Sequence, residues 1–193
     1  MAGINKIYWA DNRIQEIRMT PRLGAIMAVI IAAVLARIAM SGIPNVSPIT
    51  ALALFSGAYL ADRKLALLVP LVAMFIGDLV LGLHNMMFFV YGAFVLISLV
   101  GFFISSRLCG HVVISASLIS SIVFFLVTNF GVWAVSGLYP LTYSGLVSCY
   151  TAAIPFFQMT LMGDLFFVGI IFGGFMLLEK LVPAIQTPAR QHI

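Results

Sequence analysis

Charge is scarce in this 193-residue chain, where Lys, Arg, Asp and Glu together make up 8% of the sequence. A soluble domain carries about 25% charged residues. Ten basic and six acidic side chains could not coat a water-soluble globule of this length. A soluble enzyme, a nucleic-acid-binding domain and a disordered chain are thereby excluded. Cysteine is scarce too. Only Cys109 and Cys149 are present, and the topology derived below puts them on opposite membrane faces, so no disulfide is expected. Several motifs are absent. No G-x-x-x-x-G-K-[ST] loop is present for ATP, and neither H-E-x-x-H nor G-x-S-x-G occurs. No nucleophile, base and orienting acid suggest a hydrolase, so the protein is not expected to be an enzyme.

What the chain has is apolar length. Hydrophobic residues make up 63% of it, and mean hydropathy is +1.15. At about 20 residues per crossing, the length suits an all-α, polytopic, six-helix transmembrane bundle. The runs predict spans over Leu23 to Met40, Pro48 to Ala61, Leu65 to Leu83, Met86 to Ile104, Val112 to Val135 and Ile154 to Leu178. They are continuous and do not alternate, which favours helices over a barrel. The second is short for a bilayer, and so starts earlier or sits in a thinned or protein-lined region. Pro48 suits a first helical turn, and Pro70 falls in the first turns of span three. The chain divides into a polar tail (1–22), the membrane domain (23–178) and a second tail (179–193). Ile4, Ile7, Ile14 and Ile17 would let the first tail lie as an interfacial helix.

The basic residues sit at the ends of the runs, where they report topology and not a nucleic-acid partner. Lys6, Arg13, Arg18, Arg22, Arg63, Lys64, Arg107, Lys180 and Arg190 all fall on one side. By the positive-inside rule both termini are cytoplasmic, and the expected location is a cytoplasmic membrane. The three opposite connections, 41–47, 82–85 and 137–151, lack Lys and Arg.

Charges inside a bilayer are costly and each is a functional hypothesis. Arg37, Asp78 and Asp164 qualify. One Arg between two carboxylates reads either as an ion-paired knot that fixes packing or as the polar floor of an outward-facing pocket. A proton relay would need one Asp to titrate, against the pull of Arg37. His84, followed by Asn85, ends span three. It is either a satisfied helix-end residue or a ligand; without neighbouring Cys, His or carboxylate, it suits a metal only as the axial ligand of a cofactor-borne ion. Asn129 and Trp133 share a face of span five, although Trp133 also fits an aromatic belt. Tyr91 in span four could reach the same cavity, and Gln158 in span six needs a partner. Asn45 and Tyr143 lie on the outer connections. Gly24, Ala28, Ala32 and Ala36 form a small-residue stripe, read as packing within the bundle or as docking of a membrane partner; Ser117 and Ser121 are a weaker version. Phe75-Ile76-Gly77-Asp78-Leu79 echoes Leu161-Met162-Gly163-Asp164-Leu165. An inverted repeat would place one Asp in the inner half, and both fall in the outer half or at mid-depth.

The run Pro44-Asn45-Val46-Ser47-Pro48-Ile49-Thr50-Ala51-Leu52-Ala53-Leu54-Phe55-Ser56-Gly57-Ala58-Tyr59, with Val69-Pro70, Asp78-Leu79-Val80-Leu81-Gly82 and His84, resembles a family of small six-helix bacterial membrane proteins. That family is similar to the substrate-binding S-components of energy-coupling factor (ECF) vitamin transporters and to solitary cobalamin transporters. The resemblance covers residues 23–178. It implies a pocket on the outer face, capped by the three uncharged connections, and docking to an ECF transmembrane and ATPase module through Ala28, Ala32 and Ala36. In the cobalamin subgroup a cysteine near the span three-four junction can ligate cobalt; this chain has His84 there, and imidazole is a competent ligand. The expected function is uptake of a vitamin-like solute, with cobalamin a candidate substrate and no intrinsic cofactor. The alternative is a non-transporting scaffold that docks through span one. A membrane enzyme acting on lipid or cobalamin has least support.

The topology has a direct test. Alkaline phosphatase fused after Ile193 should be inactive and a fluorescent protein fused there bright; the reverse pattern would invert the orientation.

Overall fold

The computed structural model describes residues 20–40, 42 and 46–186. Among them are six α-helices: α1 (Pro21–Ala39), α2 (Ile49–Tyr59), α3 (Arg63–Leu81), α4 (Met87–Ile104), α5 (Gly110–Val135) and α6 (Tyr143–Leu181). A single 3-10 turn, Pro183–Ile185, follows. Five of the helices are long and apolar enough to cross a membrane; α2 is not among them.

The exception organises the rest. With 11 residues, α2 is only about 16 Å long. Its sequence, ITALALFSGAY, offers no polar face, and a helix that is apolar all round must be enclosed by protein. Every residue from Ile49 to Ala58 is buried. All five other helices pack around it. The short second span is therefore a protein-lined central helix.

Its closest neighbour is α4. A Cβ added at Gly57 would strike the Ser98 carbonyl oxygen, and one at Gly101 would strike that of Leu54. The two backbones touch at facing glycines, as small residues permit in membranes. Packing with α3 solves another problem. Pro70 lies inside α3, so the carbonyl of Ala66 loses its helical N–H partner. Ser56 of α2 donates its hydroxyl to that carbonyl at 2.8 Å.

Neighbouring helices alternate in direction. At one end Arg22 of α1 pairs with Glu179 of α6 and lies 5.8 Å from the ring of Tyr59, the last residue of α2. The connections holding Arg63, Lys64 and Arg107 share this basic end. Arg22 also donates to the Ile185 carbonyl at 2.8 Å, and Ile185 is buried. Residues 179–186 thus belong to the bundle, and the boundary expected at 178 moves outward. Residues 1–19, where an interfacial helix was expected, and 187–193 lie outside the described residues.

The connection expected at 137–151 is largely helix. Thr142 caps α6 by accepting from the Gly145 N–H at 3.2 Å. Tyr150 donates to the Leu126 carbonyl at 2.6 Å and Trp133 to that of Pro140 at 3.0 Å. Ser, Thr, Tyr and Pro140 gave this stretch a loop-like composition, but a bond from Tyr150 to α5 holds its helical part in place. At 39 residues, α6 is about 58 Å long, well beyond the hydrocarbon thickness of about 30 Å. Cys149 packs against the Asn129 carbonyl, far along α5 from Cys109, and both thiols are free. Outward-facing surfaces are apolar, with Leu79, Phe103, Met162 and Phe166 all more than half exposed.

The glycine contact gives a prediction. Gly101→Leu should prevent α2 and α4 from meeting and cost about 3 kcal/mol or more, by overpacking. Gly173→Leu, at a position with open space around it, should be near neutral. Melting of both variants in one detergent checks this; equal melting temperatures would refute the close approach.

Candidate functional site

The buried faces of the helices deliver their polar residues inward. On α1 the buried positions are Ile26, Ile30 and Ala33, and Arg37 continues that stripe at the next i+4 step. On α3 the buried face ends in Gly77 and Asp78. On α4 Tyr91 precedes buried Phe94 by three residues. These stripes converge away from the basic end, one turn inside the bundle.

Arg37 Nη2 lies 3.2 Å from Asp78 Oδ1. Tyr91 donates its hydroxyl to Asp78 Oδ2 at 2.9 Å. Arg37 Nη1 donates to Ser47 Oγ at 3.3 Å. Asp78 is 2% exposed, so both carboxylate oxygens are served by protein. The guanidinium lies over Gly77, where an added Cβ would come within 2.6 Å of Nε. That glycine is needed for the ion pair to form. Arg37 Nε is buried and has no partner among the described residues.

Asp164 stands apart. It is also 2% exposed, but it accepts from Ser121 Oγ of α5 at 2.7 Å, and Thr50 of α2 lies near the same carboxylate. The single knot of Arg37 with both acids is corrected here: the described ion pairs are Arg37–Asp78 and Arg22–Glu179. The reason is geometric. Asp78 lies near the end of α3, level with Arg37, whereas Asp164 lies level with the middle of α5. Arg37 therefore does not hold Asp164 ionised.

Residues 46–50 separate the two acids. Ser47 bonds Arg37 on one side and Thr50 faces Asp164 on the other. The two Gly-Asp pairs have the same local use. Gly77 admits Arg37, and Gly163 admits Val46, which would lie 3.3 Å from an added Cβ. Each glycine makes room for the chain around the α1–α2 connection, and each following Asp is buried beside it.

The remaining candidates scatter. His84 and Asn85 are exposed in the α3–α4 connection, with no side-chain hydrogen bond among the described residues. Asn45 lies outside the described residues. Tyr91 belongs to the ion-pair cluster. Trp133 ties down the α5–α6 connection and Asn129 donates back to the Phe125 carbonyl at 2.8 Å, so neither converges on His84. Tyr143 is 83% exposed. Gln158 faces outward and is exposed; the α6 positions that point inward are Gly163, Asp164 and Phe167, which puts Gln158 on another face.

The small-residue stripe of α1 is not packed inside the bundle. Ala28 and Ala32 are exposed and Gly24 and Ala36 half-buried, because the core face is the Ile26–Ile30–Ala33 one. Ala32 and Ala36 line an apolar groove of about 270 Å³ whose far wall is Phe167, Ile170, Ile171, Gly174 and Phe175 of α6. A second groove, about 280 Å³, runs between α5 and α6 and is lined by Thr128, Asn129, Phe157 and Thr160 among others. No group of three or more His, Cys, Asp or Glu that could hold a metal occurs among the described residues. The buried serines around Asp164 were legible only as a weak packing pattern, since their spacing does not reveal which helix they face.

Residues 17–185 match a family described as a family of unknown function, DUF6580. The chain belongs to that family. The match takes in all six helices, both buried acids and the α1–α2 connection. No curated protein and no solved structure matches the chain.

The ion pair has a clear energetic test. Arg37→Ala should leave a buried, uncompensated carboxylate at Asp78 and cost about 3–5 kcal/mol. Adding Asp78→Asn should recover part of that loss. If the double variant melts no higher than the single one, the pair is not what holds α1 to α3.

Proposed function

We propose that this protein is a substrate-binding or uptake protein of the ECF S-component type, embedded in a bacterial cytoplasmic membrane with both termini inside. The observation that carries the reading is the Arg37–Asp78–Tyr91 cluster, placed at the end of the bundle whose connections lack Lys and Arg. A charged group held there by α1, α3 and α4 makes a polar floor. His84 and Asn85 stand exposed above it in the α3–α4 connection, where they can meet a solute from outside. Tyr143 is exposed at the start of α6.

In this reading the solute is small and vitamin-like. Cobalamin is a candidate because an exposed imidazole can take the axial position on its cobalt; the metal would arrive with the substrate. Transport then follows from reorientation of the bundle, alone or with an ATPase module.

The α1–α6 groove favours a second reading. Its wall of Ala32 and Ala36 is open, so a partner's membrane helix could pack closely there. The same surface would serve an energising module or, without transport, a scaffold.

Absorbance and mass spectrometry of the purified protein discriminate the readings, with aquocobalamin as the first probe. Binding should shift the cobalamin absorbance bands as imidazole replaces water, and His84→Ala should abolish the shift without lowering the melting temperature. Ala32→Leu should leave binding intact and break co-purification of a membrane partner. Protein that arrives free of small molecules, ignores cobalamin and still captures a partner through Ala32 would favour the scaffold.

A further inference from the structure

We propose that Asp164 and the hydroxyls around it form a binding site for a small monovalent cation of the sodium class, in the middle of the bundle. The starting point is an inequality between the two buried acids. Asp78 has Arg37. Asp164 has no basic partner among the described residues, although it is equally buried. It lies level with Ser121, the twelfth of the 26 residues of α5. An isolated carboxylate at that depth costs several kcal/mol unless something neutralises it.

A serine hydroxyl of α5 bonds it directly. Ser117, Ser120 and Ser121 occupy one turn of α5, and all three are fully buried. Ser117 Oγ and Ser120 Oγ have no hydrogen-bond partner among the described residues. Buried hydroxyls left unpaired are destabilising, each by about 1–3 kcal/mol, and alanine would fill the same volume. Two such orphans within a turn of Ser121, the α5 residue bonded to Asp164, point to a ligand that accepts oxygen lone pairs.

The bonding of Ser121 says the same. Its hydroxyl lies 2.7 Å from Asp164 Oδ2 and 3.0 Å from the Ser117 carbonyl. One proton cannot serve both acceptors. It goes to the carboxylate, because the Ser117 carbonyl already takes the helical N–H of Ser121, and the lone pairs of the hydroxyl are left to face a cation. Thr50 adds a further hydroxyl from α2.

The donor set selects the ion. Carboxylate and hydroxyl oxygens suit hard cations. A single carboxylate balances a single charge, so a monovalent ion leaves the site neutral. The first turn of α2, where Thr50 is the second residue, presents a partial positive charge of about half a unit. The site stands whether or not the solute reading is correct.

The test uses the full-length protein in detergent at pH 8, with NaCl titrated against choline chloride at constant ionic strength. The melting temperature should rise with sodium and saturate, as linkage requires for a ligand that binds only the folded state. Asp164→Asn should abolish the sodium response. Ser120→Ala and Ser117→Ala should keep the fold and raise the half-saturating sodium concentration, by about tenfold for the loss of about 1.4 kcal/mol of ligation. If Asp164→Asn does not fold, the serine variants carry the test. Equal melting in sodium and choline would overturn the proposal, as would a sodium response undiminished in Asp164→Asn or unchanged in both serine variants. Stabilisation by acid alone, with no sodium effect, would make Asp164 a protonated hydrogen-bond donor and would also overturn it.

Discussion

An eleven-residue helix cannot cross a bilayer, and one with apolar side chains on every face has no side to turn to water. The burial of α2 is the constraint from which the arrangement of the other helices follows. Five longer helices have to enclose it, and each contact has to satisfy any polar group it covers. The α2–α4 backbones meet through Gly57 and Gly101 because any side chain there would hold them apart. The α2–α3 contact works because Ser56 supplies the donor that Pro70 denies to Ala66. In hydrocarbon there is no water to make up such a deficit, so these pairings are requirements of the fold.

The start of α2 is where structure and chemistry meet. Residues 46–50 run between two buried acids with different solutions to the same electrostatic problem. Asp78 is neutralised by a guanidinium that reaches it over a glycine, with Tyr91 on its second oxygen. Asp164 is met only by hydroxyls. A membrane interior tolerates the first arrangement without outside help. The second leaves net charge and unpaired oxygens at mid-height, and the proposed cation site rests on that imbalance.

Much of this was legible in the amino-acid order. The apolar runs located α1, α3, α4 and α5 to within two or three residues, because continuous hydrophobicity over a span has one physical explanation. The three membrane-embedded charges were identifiable as costly groups needing partners. Two features were not legible. Residues 143–151 read as a loop since their Ser, Thr and Tyr side chains look like surface chemistry; bonds from Tyr150 to α5 and from Trp133 to the connection show otherwise. The face of Gln158 was also hidden, because an apolar helix carries no polar stripe to reveal which side turns inward.

By itself the sequence determined the class of molecule: too little charge for water, apolar runs at helical length, and basic residues gathered where the chain turns back. These are local and compositional quantities, and the bilayer reads them directly. Only the tertiary structure decided which helix is central, that Arg37 takes Asp78 and leaves Asp164 to the serines, and that the small-residue face of α1 stays open while its isoleucines go inward. Pairings of that kind depend on depth and on rotation about each helix axis. Both are set by how six helices fill one volume together, a condition that no single segment contains.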